Sequence, residues 1–115
     1  MKRRQRSGQT SSEGEATLAL MLRVEGIPFE REFAAVPGRK FRWDFHVKPD
    51  LLIEVQGGVW NFKKSGHSSG FGITRDAEKA SLAVAHGYRQ ITATTAQVKS
   101  GQALTWIKQA IGRAA

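Results

Sequence analysis

The stretch RWDFHVKPDLLIEVQGG, residues 42–58, places three carboxylates among apolar residues. Asp44 and Glu54 fall on the polar sides of two predicted strands, and Asp50 follows a proline in the turn between them. If the hairpin is symmetric about Pro49, Asp44 lies opposite Glu54, because each is five residues from the proline. The spacing therefore predicts two carboxylates side by side on one face of a hairpin, with Asp50 far from them.

Cross-strand carboxylates of this kind repel each other, since their Cβ atoms lie about 5 Å apart. A divalent cation between Asp44 and Glu54 would offset that repulsion. The chain has no cysteine, so a metal must bind oxygen or imidazole ligands, which favours Mg²⁺ or Mn²⁺. The alternative is that both carboxylates are solvated and neutralised by Arg42, Lys40 or His46.

Further polar residues are candidates for the same site. Glu15 lies on the polar side of the first predicted helix, where it either reaches the carboxylates or completes a capping box with Ser12. The loop at 57–72 mixes cations with aromatic rings, a combination that binds phosphates and stacks on bases, unless its tryptophan folds back into the core. The residues predicted to contact nucleic acid are Arg39, Lys40, Arg42, Trp60, Lys63, Lys64 and His67.

Composition supports a polyanionic partner. Lysine and arginine outnumber acidic residues 18 to 10 in a chain of 115 residues, which gives a formal charge of +8. For one small domain, a charge this large favours binding to nucleic acid, although a basic surface can also serve solubility alone. No apolar run has the length of a signal peptide core or a membrane span. The sequence therefore predicts a cytoplasmic protein without membrane contact.

Hydrophobic periodicity and turn signals predict one domain over residues 12–115, preceded by a basic flexible arm at residues 1–11. The predicted elements are a helix at 12–25, strands at 29–35, 40–47 and 51–56, a helix at 74–86, a strand at 88–92, a short helical piece at 95–100 and a last helix through Ala103, Ile107 and Ile111. This order, α-β-β-β-α-β-α, predicts an α/β domain with a mixed four-stranded sheet flanked by helices.

The same periodicity predicts which residues are buried. Alternation groups Phe41, Trp43 and Phe45 on one face of the second strand, with Trp43 opposite Val55 on the third. In the helix at 74–86, the apolar residues at helical spacing are Ile73, Ala77, Ala80 and Val84.

Together these residues resemble the PD-(D/E)XK nuclease superfamily, whose restriction-endonuclease-like core is a helix, three antiparallel strands, a helix and a strand. The resemblance covers about residues 12–95 and is carried by WDF, IEVQGG, a histidine-containing glycine-rich loop and RDAEKASLAVAHGYRQI. The pattern is similar to that of small nucleases such as VRR-NUC proteins, very-short-patch-repair endonucleases and Holliday-junction resolvases.

The resemblance implies that Asp44 and Glu54 bind magnesium, with the Val55 carbonyl as a further ligand. The literal letters PD belong to Pro49-Asp50, but the hairpin register places Asp50 in the turn, where we expect it to pair with Lys48.

Gln56 stands where the family carries a lysine. It could orient a water, and Lys79 in the following helix could supply the missing charge, unless Lys79 only pairs with Asp76 on the helix surface. Glu15 could support a second metal, and His67 could hydrogen-bond a phosphate or act as an acid.

The function implied is that of a magnesium-dependent endonuclease that hydrolyses DNA. Without a separate sequence-reading module, we expect selectivity for a junction, flap or nick, in DNA repair, recombination or phage DNA processing within a bacterial or phage-infected cell. Junction cutting would call for a two-fold homodimer. Two alternatives stay open: a catalytically inactive nucleic-acid-binding module on the same fold, which Gln56 favours, and a small RNA-binding or ribosome-associated protein, which gives no reason for the carboxylate pair.

Overall fold

The structure of the protein is a computed structural model that describes residues 9–57 and 69–113. Its helices and strands are, in chain order, α1 Gln9–Val24, β1 Glu30–Phe33, β2 Trp43–Val47, β3 Leu51–Gln56, α2 Ser69–Ala85, β4 Arg89–Thr94, α3 Thr95–Lys99 and α4 Gln102–Ala110. The predicted α/β class and the order of its elements are confirmed, including the short helical piece after β4 and the separate last helix.

The four strands form one mixed sheet in the order β1-β2-β3-β4. β1 with β2 and β2 with β3 are antiparallel, whereas β4 returns parallel to β3 after α2. In the β2–β3 hairpin, Phe45 pairs with Ile53 and Val47 with Leu51, so partners are equally distant from Pro49. The register predicted from the sequence is confirmed over these pairs.

The hydrophobic core lies on both faces of the sheet. Its first cluster packs α1, α3 and α4 against the sheet and includes Leu18, Leu22, Phe45, Val47, Leu51, Ile53, Val55, Val98, Ala103 and Ile107. The second cluster lies under α2 and consists of Ala35, Val36, Phe41, Trp43, Leu52 and Ala83. Because β3 contributes neighbouring residues to different clusters, both of its faces are buried.

Trp43 and Phe45 lie in different clusters, so the prediction that they share a face of β2 is wrong. A buried indole N–H requires a hydrogen-bond acceptor, and that of Trp43 donates to Oε1 of Gln90 at 2.9 Å. Gln90 pairs with Leu52 in the parallel register, on the α2 side of the sheet. The regular alternation of β2 is therefore interrupted at Asp44.

Helix α1 begins at Gln9, earlier than the predicted start at Ser12. Ser12 is therefore inside the helix, and the predicted capping box with Glu15 is wrong because the helix does not start there. Of the arm predicted for residues 1–11, residues 1–8 lie outside the described residues. Gly14 lets α1 approach the sheet closely, since a Cβ there would lie 2.7 Å from Oγ1 of Thr95 and 2.9 Å from Cγ1 of Val55.

The face of helix α2 that packs on the sheet differs from the predicted face, which contained Ile73, Ala77, Ala80 and Val84. Ile73 and Val84 are 65% and 67% exposed, whereas Ala83 is buried and Leu82 packs beside it. Lys79 lies on this inner face, three and four residues before Leu82 and Ala83. A cation on the sheet-facing side of α2 indicates a polar partner in the sheet.

Candidate carboxylate site

Asp44 lies at the end of the β2–β3 hairpin that is far from the turn. The recorded register ends at the pair of Phe45 with Ile53, and extending it by one step would bring Asp44 opposite Glu54; the charge of Asp44 acts on the Glu54 carboxyl group. Oδ2 of Asp44 accepts a hydrogen bond from the backbone N–H of Val55 at 2.7 Å. The aspartate is therefore tied to the strand that carries Glu54.

Glu32 reaches the same position from the other side of Asp44, and sequence reasoning missed it. In the β1–β2 register, Arg31 pairs with Phe45 and Phe33 with Trp43, so Glu32 lies opposite Asp44. A signal was present in the sequence, because Glu32 and Asp44 are equally distant from Gly38 in the predicted turn. Asp44 is thus flanked by a glutamate on each neighbouring strand.

The backbone of Glu32 adopts a left-handed conformation, with φ of 51°. Such a conformation costs a non-glycine residue on the order of 1 kcal/mol or more. Phe33 packs against the second apolar cluster, whereas the guanidinium of Arg31 lies 4.6 Å from the Phe45 ring centroid in the first. β1 therefore changes faces at Glu32, next to the point where β2 changes faces at Asp44.

Glu15 comes to the site from α1. Its Oε1 accepts a hydrogen bond from the Arg31 guanidinium at 2.8 Å, and Nε of Arg31 donates to the Asp44 carbonyl at 3.2 Å. One carboxylate oxygen each of Glu15, Glu32 and Asp44 lies within 4.8 Å of the other two. Arg31 links the helix to the strand, and the close approach of Gly14 brings Glu15 near the sheet.

Lys79 of α2 forms an ion pair with Glu54 and donates a second hydrogen bond to the Arg42 carbonyl at 2.7 Å. Its Nζ also lies 4.9 Å from the Trp43 ring centroid. The side chains of Lys79 and Glu54 are each only 18% exposed. Lys79 thus contacts the carboxylate site, and the alternative in which it only pairs with Asp76 on the helix surface is wrong.

Two of these carboxyl groups have raised pKa values. Burial raises the pKa of Glu54 from 4.5 to about 7, and the charge of Asp44 adds to this, while Lys79 lowers it. Burial and the charge of Asp44 likewise raise the pKa of Glu15 to about 7, against the opposing effect of Arg31. Burial and mutual repulsion therefore outweigh the two cations.

The donor set fits a hard divalent cation. Carboxylate oxygens are the preferred ligands of Mg²⁺, and the raised pKa values of Glu15 and Glu54 are the response expected of crowded carboxylates that lack sufficient positive charge. Among the described residues, the acidic group suited to a metal is Glu15, Glu32 and Asp44, with Glu54 on the opposite side of Asp44.

Several predicted site residues have other positions. Gln56 is exposed at the end of β3, and its carbonyl accepts from Oγ1 of Thr95 at 3.3 Å. Val55 contacts Asp44 through its amide, and the role of its carbonyl stays a prediction. Four predicted residues of the glycine-rich loop lie outside the described residues: Trp60, Lys63, Lys64 and His67.

The predicted cations before β2 are exposed, but two of them are already engaged. The Arg39 guanidinium donates to Oε2 of Glu78 at 2.8 Å, and Arg42 donates to the Glu32 carbonyl at 3.3 Å. Lys40 is exposed. The predicted neutralisation of Asp44 and Glu54 by Arg42, Lys40 or His46 is wrong, because Glu54 pairs with Lys79, the Asp44 carboxylate accepts the Val55 N–H, and His46 contacts Glu30.

Asp50 lies at the turn, as the register predicted, but it does not pair with Lys48. It accepts hydrogen bonds from Nε and Nη2 of Arg89 in β4, the shortest at 2.9 Å. These bonds hold the pKa of Asp50 below its ordinary value. Asp50 immediately precedes β3 and Glu54 lies four residues further along the extended chain, so about 13 Å separates their Cα atoms.

The four-stranded mixed sheet flanked by helices matches the fold of a nuclease catalytic domain. Among solved structures, the chain is similar to the "Homing Endonuclease I-Bth0305I Catalytic Domain", with a TM-score of 0.61 and 22% sequence identity. The similarity covers 86% of this chain and 89% of that chain. No protein-family model and no curated protein matches the sequence.

Within the described ranges, no helix combines the length and apolar character needed to cross a membrane.

Proposed function

We propose that this protein is a metal-dependent endonuclease that hydrolyses DNA phosphodiester bonds. The observation that carries the proposal is the convergence of three glutamates on Asp44, from α1, β1 and β3, in a nuclease-like fold. Crowding carboxylates in a half-buried site is unfavourable, and a bound cation would offset the repulsion between them. The formal charge of +8 favours a polyanion as the partner bound beside that cation.

Asp44 and Glu54 would hold Mg²⁺ or Mn²⁺, with the Val55 carbonyl as a further ligand. Glu15, together with Glu32, would support a second ion or a water bound to the first. When bound, such an ion lowers the pKa of a water and stabilises negative charge on the phosphate.

The chain's own groups would orient the reactants. Lys79 holds Glu54 and is placed to contact a phosphate oxygen or the attacking water, which is the role expected of the lysine that Gln56 replaces. Gln56 lies two residues beyond Glu54 on the same side of the strand and can orient a water. His67 would hydrogen-bond the phosphate or protonate the leaving oxygen.

The DNA backbone would be bound by the cations Arg39, Lys40, Arg42, Lys63 and Lys64, with Trp60 stacking on a base. Binding would then weaken steeply with salt. We further propose that the substrate is recognised by its structure, such as a junction, flap or nick. Junction cutting would require a homodimer, and the protein would act in the cytoplasm of a bacterial or phage-infected cell.

The second candidate function is a nucleic-acid-binding module without catalysis. Gln56 in place of lysine favours it. The contact of Lys79 with Glu54 weakens that argument, because a lysine is present at the carboxylates although it comes from a different element.

The test is a cleavage panel of single-stranded, duplex, nicked, flap and four-way-junction DNA with Mg²⁺ or Mn²⁺. Asp44→Ala should lower cleavage by more than about 100-fold, as expected for loss of a metal-binding group, while DNA binding without metal and the folded state persist. Asp50→Ala is the matched control and should cleave at the wild-type rate. Undiminished cleavage by Asp44→Ala would contradict the site, and binding without any cleavage by the wild type would favour the second candidate.

A further inference from the structure

A buried aromatic ring holds two arginines beside the carboxylate site. Phe41 precedes β2 and is 6% exposed. Cζ of Arg39 lies 4.8 Å from its ring centroid, and Cζ of Arg75 lies 5.3 Å from it. Guanidinium groups at this distance are attracted to the face of the ring. Phe41 therefore restricts the positions of two long cationic side chains, one from the chain before β2 and one from α2.

The two arginines differ in their available charge. Arg39 is paired with Glu78, one helical turn after Arg75 on α2. In the part of the chain that the structure describes, no carboxylate lies within ion-pair distance of Arg75, and its side chain is exposed. Arg75 thus presents a positive charge that is held by an aromatic ring and is not compensated by a described acid.

Arg75 is also aligned with the site. It precedes Lys79 by four residues on α2, so the two side chains are neighbours on one helix face, with Cβ atoms about 6 Å apart. Lys79 contacts Glu54. Successive phosphates of one nucleic-acid strand are spaced about 3.4 Å along the helix axis. A cation one helical turn from Lys79 therefore matches a phosphate one or two nucleotides from the carboxylates.

We propose that Arg75, held on Phe41, binds a backbone phosphate of a nucleic acid one or two nucleotides from the phosphate at the carboxylate site. A planar guanidinium suits this role, because it can donate two hydrogen bonds to one phosphate. Arg39 contributes less, since Glu78 neutralises it. The inference rests on the proposed function for its polyanionic substrate, and it adds a residue and a register that the sequence did not indicate.

The first experiment compares Arg75→Gln with Arg23→Gln in the full-length protein. Arg23 is a matched control: it is exposed, it lies over another phenylalanine at 5.5 Å, and it is on α1, two turns beyond Glu15. Binding of labelled duplex and junction DNA is measured by anisotropy in EDTA over a range of salt concentrations. Arg75→Gln should reduce the slope of log K against log salt by about 0.9, and Arg23→Gln should leave it unchanged.

The second experiment tests whether added positive charge beside Arg75 makes the slope of log K against log salt steeper. Glu78→Gln releases Arg39 beside Arg75, and the slope should become steeper. Glu25→Gln is its control, because it makes the same charge change and releases Lys108, whose Nζ lies 3.0 Å from the glutamate. Circular dichroism of each variant checks folding. A gain with Glu78→Gln that Glu25→Gln does not reproduce supports a phosphate-binding surface at Phe41.

The outcomes separate this inference from the proposed function. Equal slopes for Arg75→Gln and Arg23→Gln, or equal effects of the two glutamate substitutions, would overturn the inference even if the wild type cleaves DNA. In an active wild type, Arg75→Gln should raise KM and leave kcat unchanged. Slopes that depend on Arg75 in a protein that never cleaves DNA would support the inference and reject the nuclease. Failure to bind any of the nucleic acids would overturn both.

Discussion

The β2–β3 hairpin carries one aspartate near each end, and the two are neutralised differently. At the turn, Asp50 faces one exposed arginine, and its pKa is lowered. At the other end, Asp44 lies among glutamates, and the pKa values of Glu15 and Glu54 are raised to about 7. The turn end has the balance of charge that stabilises a folded protein, whereas the site end has unfavourable repulsion that folding alone does not explain.

The neighbourhood of the turn end supports this distinction. His46 is buried and contacts Glu30 through Nδ1 at 2.5 Å and the Pro49 carbonyl through Nε2 at 3.1 Å. Its ring also stacks on Phe33 with centroids 4.0 Å apart. His46 and Asp50 at the turn end thus both have protein partners, which is what a structural role requires.

The largest expected effect concerns the cation at each end. Lys79→Met should lower cleavage by about 10²–10³-fold, the usual loss when one charge-stabilising donor is removed from a catalytic site. Arg89→Met at the turn end should leave the cleavage rate unchanged. The measurement is initial cleavage rate at saturating metal, with thermal melting as a check on folding. Equal losses for the two variants would remove the functional difference between the ends.

The pH dependence of stability should also differ between the ends. Folding raises the pKa of Glu54 and Glu15, so the folded state holds more protons between pH 4.5 and 7, and the free energy of unfolding falls as pH rises through this window. The expected fall is on the order of a few kcal/mol, because one pKa unit corresponds to about 1.4 kcal/mol and solvent screening at these partly exposed groups reduces the effect. The lowered pKa of Asp50 has the opposite sign, because its stabilising effect is lost as pH falls below the ordinary value of 3.8.

Urea unfolding of the protein in EDTA from pH 4.5 to 8 measures the fall in stability that Glu54 and Glu15 produce. Glu54→Gln should reduce the fall between pH 4.5 and 7 to the part that Glu15 contributes, and Asp50→Asn should leave it in place. Mg²⁺ should stabilise the wild type more at pH 8 than at pH 5, because ionised carboxylates bind it better. If the free energy of unfolding instead rises from pH 4.5 to 8, then folding does not raise the pKa values of Glu15 and Glu54.

The smallest effect is steric. Gly14→Ala places a Cβ against Thr95 and Val55, and overpacking of this kind should destabilise the fold by about 1–3 kcal/mol and shift Glu15. Gly72→Ala in α2 is the control, since a Cβ there meets nothing within 4 Å, and alanine should stabilise the helix by up to about 1 kcal/mol. Thermal melting and metal titration check both. A Gly14→Ala protein as stable as wild type would indicate that α1 can move away from the site.

The sequence predicted the β2–β3 hairpin well because its signals were local. The turn at Pro49, the limits of β3 and the position of Asp44 relative to Glu54 all follow from alternation and symmetry within 17 letters. Glu32 follows from the same kind of symmetry about Gly38. Nine residues, 34–42, separate β1 from β2, so the sequence does not fix the register of these strands as a tight turn does.

Other features depended on tertiary contacts that periodicity does not contain. β1 changes the face it presents at Glu32, which has a left-handed backbone. β2 changes faces at Asp44, and Trp43 instead bonds to Gln90 on the α2 side of the sheet, so regular alternation did not predict its position. α2 turns Lys79 inward because Glu54 is there to receive it, which leaves Ile73 and Val84 exposed. The apolar spacing of α2 therefore could not predict which of its faces packs on the sheet, because the ion pair of Lys79 with Glu54 orients the helix.

The hydrogen bond from the Val55 amide to Asp44 has a consequence for any ion that binds there. It fixes the side chain of Asp44 in β2 to the main chain of β3, at 2.7 Å from the Val55 nitrogen. The conformational freedom of that side chain is lost when the protein folds, not when a ligand arrives. The carboxylate of Asp44 is therefore held at a fixed distance from β3, the strand that carries the other candidate ligands Glu54 and the Val55 carbonyl, before any ion binds.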